Sequence, residues 1–183
     1  MELKTTDMVA AAGKIINESG INSLSIEELA REMKIDHSLL NPYLKKDDDI
    51  LVLILLSLET EIKQLINNTR SSDGTSEEEL RLLFENMHKL LKIKQYYLSV
   101  IFFIESKEMN SELQNALLRI KISVKAFLLE VINHGKEETV FKTKLASGSL
   151  VNNILGSFRS FMNEQRLINK MINDLEILKI AKD

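Results

Sequence analysis

The residue types that do acid–base, nucleophilic or metal chemistry are present in this 183-residue sequence, but not in arrangements that perform it. Its three histidines, His37, His88 and His134, lie far apart and share no metal-ligand spacing. There is no cysteine, which excludes thiolate zinc sites, disulfides and cysteine nucleophiles. No glycine-rich phosphate loop and no serine nucleophile elbow occurs. The runs Asp47-Asp48-Asp49 and Glu77-Glu78-Glu79 read as first-turn acids, which a helix dipole favours, and not as catalytic pairs or calcium loops. His134, just before Gly135, reads as a cation at a helix end. We therefore expect no enzyme, no metal and no cofactor.

The elements that carry these residues follow from composition and periodicity. Apolar residues make up 44% and charged residues 28%, the balance of an ordinary globular chain. One proline and six glycines leave too little punctuation for many strands and tight turns, so the expectation is all-α. The longest apolar run, Ile50 to Leu58, is far shorter than the roughly 20 residues that span a bilayer, and no membrane partner is expected. Met1 to Asp7 do not resemble a signal peptide, and with the absent cysteines they point to a cytoplasmic protein.

About nine helices are predicted. The first covers Thr6 to Ser19, with Gly20 placed for a left-handed cap. Ser25 and Glu28 form a capping box opening a helix to Met33, and Asp36 starts another over His37 to Tyr43. An apolar helix follows from Ile50 to about Asn67, then a linker from Asn68 to Thr75. Ser76 to Glu79 reads as a second capping box for a helix towards Lys92. Further helices are expected over Gln95 to Glu105, Asn110 to His134, Thr143 to Asn163 and Arg166 to Lys182.

Three short helices at the N-terminus match a helix-turn-helix arrangement, and the residues carry a more specific likeness. Ala11-Ala12, Gly20, Leu24-Ser25-Ile26-Glu27-Glu28-Leu29-Ala30, Ile35-Asp36, Leu40, Tyr43-Leu44-Lys45-Lys46 and Asp48-Asp49-Ile50-Leu51 follow one another without a gap. In that order the stretch Met8 to Leu58 resembles the DNA-binding region of the TetR (tetracycline repressor) family of transcriptional regulators. The resemblance implies a DNA-binding domain over residues 1–50 and a helical ligand-binding and dimerisation domain over 51–183. It also implies a homodimer that holds double-stranded operator DNA until a small-molecule effector releases it.

Ile15, Ile26, Leu29, Ala30, Ile35, Leu40 and Leu44 would form the core of the three-helix domain. By the resemblance, Ser25, Tyr43, Lys45 and Lys46 take phosphate-contact positions, which set register. His37, Ser38 and Leu39 take positions facing base edges, where Leu39 suits a thymine methyl. Asn41 stands in the same helix, at a position usually aromatic. Lys34 occupies a turn position usually held by glycine, Pro42 falls inside the recognition helix, and Asp47 replaces a customary lysine. Residues 1–50 hold six Lys and Arg against ten Asp and Glu, a net of −4, whereas DNA-binding modules usually concentrate positive charge. These departures give an alternative: a TetR-like helical dimer that no longer binds DNA and serves as a small-molecule or protein binding module.

In the C-terminal part, Ala146, Ser149, Asn153, Gly156 and Ser160 recur every three or four residues. This stripe of small side chains lets another helix approach, and we expect it at the dimer interface. Leu150, Ile154, Phe158 and Phe161 supply apolar surface on the same helix. An effector pocket would draw on Phe84, Met87, His88, Tyr96, Tyr97, Phe102, Phe103, Leu117 and Phe127, mostly apolar with a few polar tips. The same residues would equally fill a plain helical core.

Overall fold

The first predicted helix forms, starting one residue earlier than expected. Helix α1 (Thr5–Ser19) turns Met8, Val9, Ala12, Ile15 and Ile16 to one buried side. The computed structural model describes residues 3–72, 74–106 and 111–180, with side chains as far as residue 164. Gly20 ends α1 at φ +83°, a conformation that favours glycine, and its N–H reaches Ile16 O at 3.1 Å. Its ψ of 161° differs from the left-handed cap predicted, so the chain leaves extended into a 3₁₀ turn over Ile21–Ser23.

Helix α2 (Ile26–Met33) starts on Ser25, whose Oγ accepts the Glu28 N–H at 3.1 Å. It ends on Lys34, at φ 55° and ψ 43°. The Lys34 N–H bonds Arg31 O and the Ile35 N–H bonds Ala30 O, both at 3.1 Å. This is the doubly bonded helix end that glycine normally serves, made with a lysine in the left-handed region.

The helix predicted over His37 to Tyr43 is not an α-helix. It is a single 3₁₀ turn, His37–Leu39, followed by further turns to Tyr43. The amides of Leu39, Leu40 and Asn41 each donate three residues back, at 3.0–3.3 Å. Pro42 has no N–H to donate, and in an α-helix its ring would strike the carbonyl of Ser38; the three-back ladder skips it and resumes at Tyr43, whose N–H reaches Leu40 O at 2.9 Å. Leu40 and Leu44 are nonetheless buried with Ile15, Ile26, Leu29 and Ala30, as the core reading requires; Ile35 is half-buried.

Helix α3 (Asp48–Arg70) runs three residues past the predicted end and crosses residue 50 unbroken. It packs against α1, α4 (Ser76–Ile93), α5 (Tyr96–Ser106) and α6 (Ser111–Glu137). The second capping box sits one residue earlier than predicted. Thr75 Oγ1 accepts the Glu78 N–H, and the Glu78 carboxylate accepts the Thr75 N–H at 2.8 Å. Gly135 does not close α6, which continues to Glu137; the glycine is buried, and a Cβ there would lie 2.4 Å from the Phe141 ring, so the site has no room for a side chain. The two final helices predicted are one, α7 (Ser147–Ile180); its side chains beyond residue 164, and Lys182, lie outside the described residues.

Among the described residues the count is therefore seven α-helices and no strand, against about nine helices predicted. The chain forms two compact units, Met1–Lys142 and Thr143–Asp183.

Lys34 supplies a direct test of this fold. A left-handed non-glycine residue costs about 1–2 kcal/mol, and glycine gives back part of that through its freer unfolded chain. Lys34→Gly should stabilise the protein by about 0.5–1 kcal/mol in urea unfolding. A destabilised variant would contradict the backbone at this turn.

Candidate nucleic-acid interface and inner polar cluster

Burying Leu40 and Leu44 turns the rest of the segment outward. His37, Ser38, Asn41, Lys45 and Lys46 are exposed, as are Leu39 and Tyr43 at 51% and 46%. Ser25 is half-buried at the start of α2. The sequence-predicted DNA contacts from His37 to Lys46 thus gather along one short stretch between α2 and α3, while Ser25 stands apart in the chain, before α2.

Amides that lack helical partners in this stretch are taken by aspartates. Asp36 Oδ1 accepts the Ser38 N–H at 2.8 Å and the Ser38 hydroxyl at 2.5 Å. The hydroxyl, more than the amide, holds the Asp36 carboxyl below the usual carboxylate range. Asp49 Oδ2 accepts the N–H groups of Lys45 and Lys46 at 2.7 and 3.2 Å. Asp47 Oδ1 accepts the Ile26 N–H at 2.8 Å, tying the start of α3 to the first turn of α2. The Lys45 ammonium donates to Asn41 O at 2.5 Å. The sequence read Asp47 as a first-turn acid standing where a lysine is customary; in the fold its carboxylate also acts as a second cap for α2.

The effector candidates divide. Met87, Tyr96, Tyr97, Leu117 and Phe127 are buried, while Phe84, His88, Phe102 and Phe103 are half-buried. Tyr96 and Tyr97 touch, with ring centroids 4.6 Å apart at 53°. Phe127 lies elsewhere, under the Arg70 guanidinium at 5.4 Å. Arg70 also grips Glu130, at 3.2 Å through Nε. Tyr97 meets α3 around Glu61, about 13 Å along that helix from Arg70 at ~1.5 Å per residue.

Two polar clusters on α3 were not foreseen. In one, the Glu61 carboxylate accepts the Tyr97 hydroxyl and the Lys94 ammonium, each at 2.7 Å. The Tyr97 oxygen lies 3.0 Å from Ser57 Oγ, which donates to it when the phenol proton goes to Glu61. Burial pushes the Tyr97 phenol well above its ordinary range, so it stays protonated and donates. Burial raises Tyr96 in the same direction. In the other cluster, the buried Glu59 is held by Lys63 at 2.8 Å and Arg119 at 3.1 Å. The Lys63 bond is foremost in holding its carboxyl below the usual range, against the opposing pull of burial. The available signal was two glutamates inside an otherwise apolar helix, Glu59 with a lysine four residues on. Among the described residues, no group of three or more His, Asp or Glu is arranged to hold a metal.

In the second unit, Ala146, Ser149, Asn153, Gly156 and Ser160 are all exposed. Asn153, Gly156 and Ser160 line an open trough with Asn152, Ser157, Phe161 and Glu164. A Cβ on Gly156 would meet nothing within 4 Å. Leu150, Ile154 and Phe158 are half-buried and Phe161 is exposed.

Two substitutions check this geometry. Asp47→Ala should cost about 1 kcal/mol in urea unfolding, the usual cost of losing a cap, and Asp47→Asn should restore most of it through its amide oxygen. For Glu59, a folded pKa below the ordinary value means its contribution is full above about pH 4.5 and fades as pH falls through the lowered value. Glu59→Gln should therefore be less stable than the parent at pH 7, with the gap closing below about pH 4. A gap that widened in acid would show that Glu59 is not held as a carboxylate.

No family model matches the chain, and no curated protein sequence matches it. Solved structures do. A regulatory protein TetR from Rhodobacter sphaeroides superposes with a TM-score of 0.76 at 10% identity, covering 92% of this chain and 91% of the other. The transcriptional regulator FadR from Bacillus subtilis, solved in complex with stearoyl-CoA, gives 0.70 at 20% identity over 94% and 97%. The fatty acid degradation regulator FadR from Bacillus halodurans gives 0.69 at 18% over 94% and 97%. Over nearly its whole length, the chain has the fold of the TetR-type transcriptional regulators.

Proposed function

We propose that the chain is a TetR-family transcriptional regulator, a homodimer that binds operator DNA and is released by a small-molecule effector. The observation that carries this reading is the exposed segment from His37 to Lys46, within a fold shared with known regulators. In the proposal, residues 1–50 are the DNA-binding part, seating the 3₁₀ turn at His37–Leu39 in a major groove. His37, Ser38, Leu39 and Asn41 face base edges, while Ser25, Tyr43, Lys45 and Lys46 hold phosphates. Residues 51–183 take the effector and make the dimer, the effector among α4, α5 and α6 near Tyr96 and Tyr97. The exposed face of α7 around Gly156 is the proposed seam between copies, since two half-sites require two recognition segments. The proposal places the protein in the cytoplasm and includes no catalytic step. Among the described residues, no helix is long and apolar enough to cross a membrane.

The hydrogen bonds of Asp36, Asp47 and Asp49 favour a second reading. They occupy amides that a DNA backbone would otherwise use, on a segment whose surroundings carry a net charge of −4 over residues 1–50. In that reading the dimer binds small molecules or proteins and not DNA.

A gel-shift assay at low salt, with the DNA upstream of the protein's own gene, separates the two. The regulatory reading expects a shifted band that stearoyl-CoA or another added effector reverses. Lys46→Glu should weaken binding on all sequences by roughly an order of magnitude and lower the salt slope. Leu39→Ala should instead cost discrimination at particular positions, about 1–3 kcal/mol per affected base pair. Absence of a shift with any DNA would leave the binding-module reading.

A further inference from the structure

The first turn of α5 holds two adjacent tyrosines with different partners. Tyr96 lays its ring on Gly13 of α1, so closely that a Cβ at residue 13 would sit 2.5 Å from a ring carbon. Tyr97, buried completely, sends its hydroxyl to Glu61 and Ser57 of α3. The rings touch each other at 4.6 Å. The Glu61 carboxylate is held in turn by Lys94, from the residue that caps α4. From this geometry we infer that Tyr96 and Tyr97 form a mechanical link, in which the hydrogen bonds of Tyr97 on α3 fix how firmly α1 is held through Gly13.

The physical argument runs through packing. Close-packed rings transmit displacement because interiors resist voids and overlaps alike. At Gly13 the contact is ring against backbone, with no flexible side chain to absorb movement. In the inferred link, a Tyr97 ring freed from Glu61 and Ser57 presses on Tyr96 through their ring contact, and Tyr96 passes the movement to α1 at Gly13. Since α1 packs on α2, and α2 packs on the 3₁₀ turn at His37–Leu39, the link stands one helix away from the element that the proposed function sets against DNA. The link itself is independent of that function and is tested without DNA.

Amide hydrogen exchange of the full chain, read by mass spectrometry, reports local opening segment by segment. Tyr97→Phe removes only the hydroxyl, and Ser57→Ala removes one of its partners should the first variant fold poorly. Each should speed exchange of the α1 amides from Ala10 to Ile16, by about tenfold for Tyr97→Phe, and leave Leu29 to Met33 of α2 unchanged. Coupling is reciprocal, so Gly13→Ala should speed exchange in the first turns of α5, from Leu98 to Ile101. Unchanged α1 protection in both Tyr97→Phe and Ser57→Ala overturns the inference. So does an equal rise in α1 and α2, which is general loosening and not a link. Loss of gel-shift activity in the parent protein would sink the DNA reading and leave these exchange results standing on their own.

Discussion

A backbone amide that cannot join a helix must find another acceptor, and between α2 and α3 that requirement organises the surface. Pro42 stops an α-helix from forming there, and the 3₁₀ ladder that replaces it is short. The amides of Ser38, Lys45 and Lys46 then close on Asp36 and Asp49, and the first amide of α2, part-buried, closes on Asp47. These carboxylates give a segment with almost no regular structure a fixed shape. These bonds give a structural use to three of the ten acids in the first fifty residues. Part of that charge is structural: it is bonded to backbone amides and is not simply spread over solvent.

Helix α3 is where this surface meets the rest of the first unit. Its apolar face is buried on several sides at once, by α1, α4, α5 and α6. Its polar residues are not left over from that packing. Glu59 ties it to α6 through Arg119, Arg70 does so again through Glu130, and Glu61 ties it to α5 and the end of α4. The two α6 pairs step forward together along both chains, so α3 and α6 run side by side in the same direction. Hydrophobic burial supplies most of the stabilisation here, and the charged pairs specify which turn of one helix faces which turn of the other.

Much of this was legible in the sequence because it depends on local rules. The spacing of Met8, Val9, Ala12, Ile15 and Ile16 fixed the buried face of α1, and Ser25 with Glu28 fixed the start of α2. What was misread lay at competing local signals. Ser76 and Thr75 both offer a hydroxyl three residues before a glutamate, and only the backbone angles choose Thr75. The gap between Asn163 and Arg166 read as a break, yet neither Glu164 nor Gln165 opposes a helix strongly enough to end α7. Pro42 was seen, but its presence alone does not state whether it kinks an α-helix or leaves a 3₁₀ turn, as it does here. The inner clusters were out of reach for a different reason. Glu61 and Lys94 are 33 positions apart, and no periodicity within either helix states which turns will meet.

The proposed DNA face and the acidic N-terminal charge are compatible if sign and position are kept separate. Non-specific affinity depends on cations that reach phosphates, and Lys45 and Lys46 are exposed on the turn itself. Of the aspartates nearby, Asp36 and Asp49 accept amides from the same stretch, which leaves their charge close to those lysines. A groove would then gain a well-shaped contact surface with a weak electrostatic pull. Such a protein would rely on shape and base contacts more than on counterion release. Its discrimination between sites would survive added salt better than that of a strongly basic module, because less of its binding energy would be salt-dependent. On that argument the acidic turn does not decide between binding and not binding DNA; it decides which part of the binding energy is left to carry specificity.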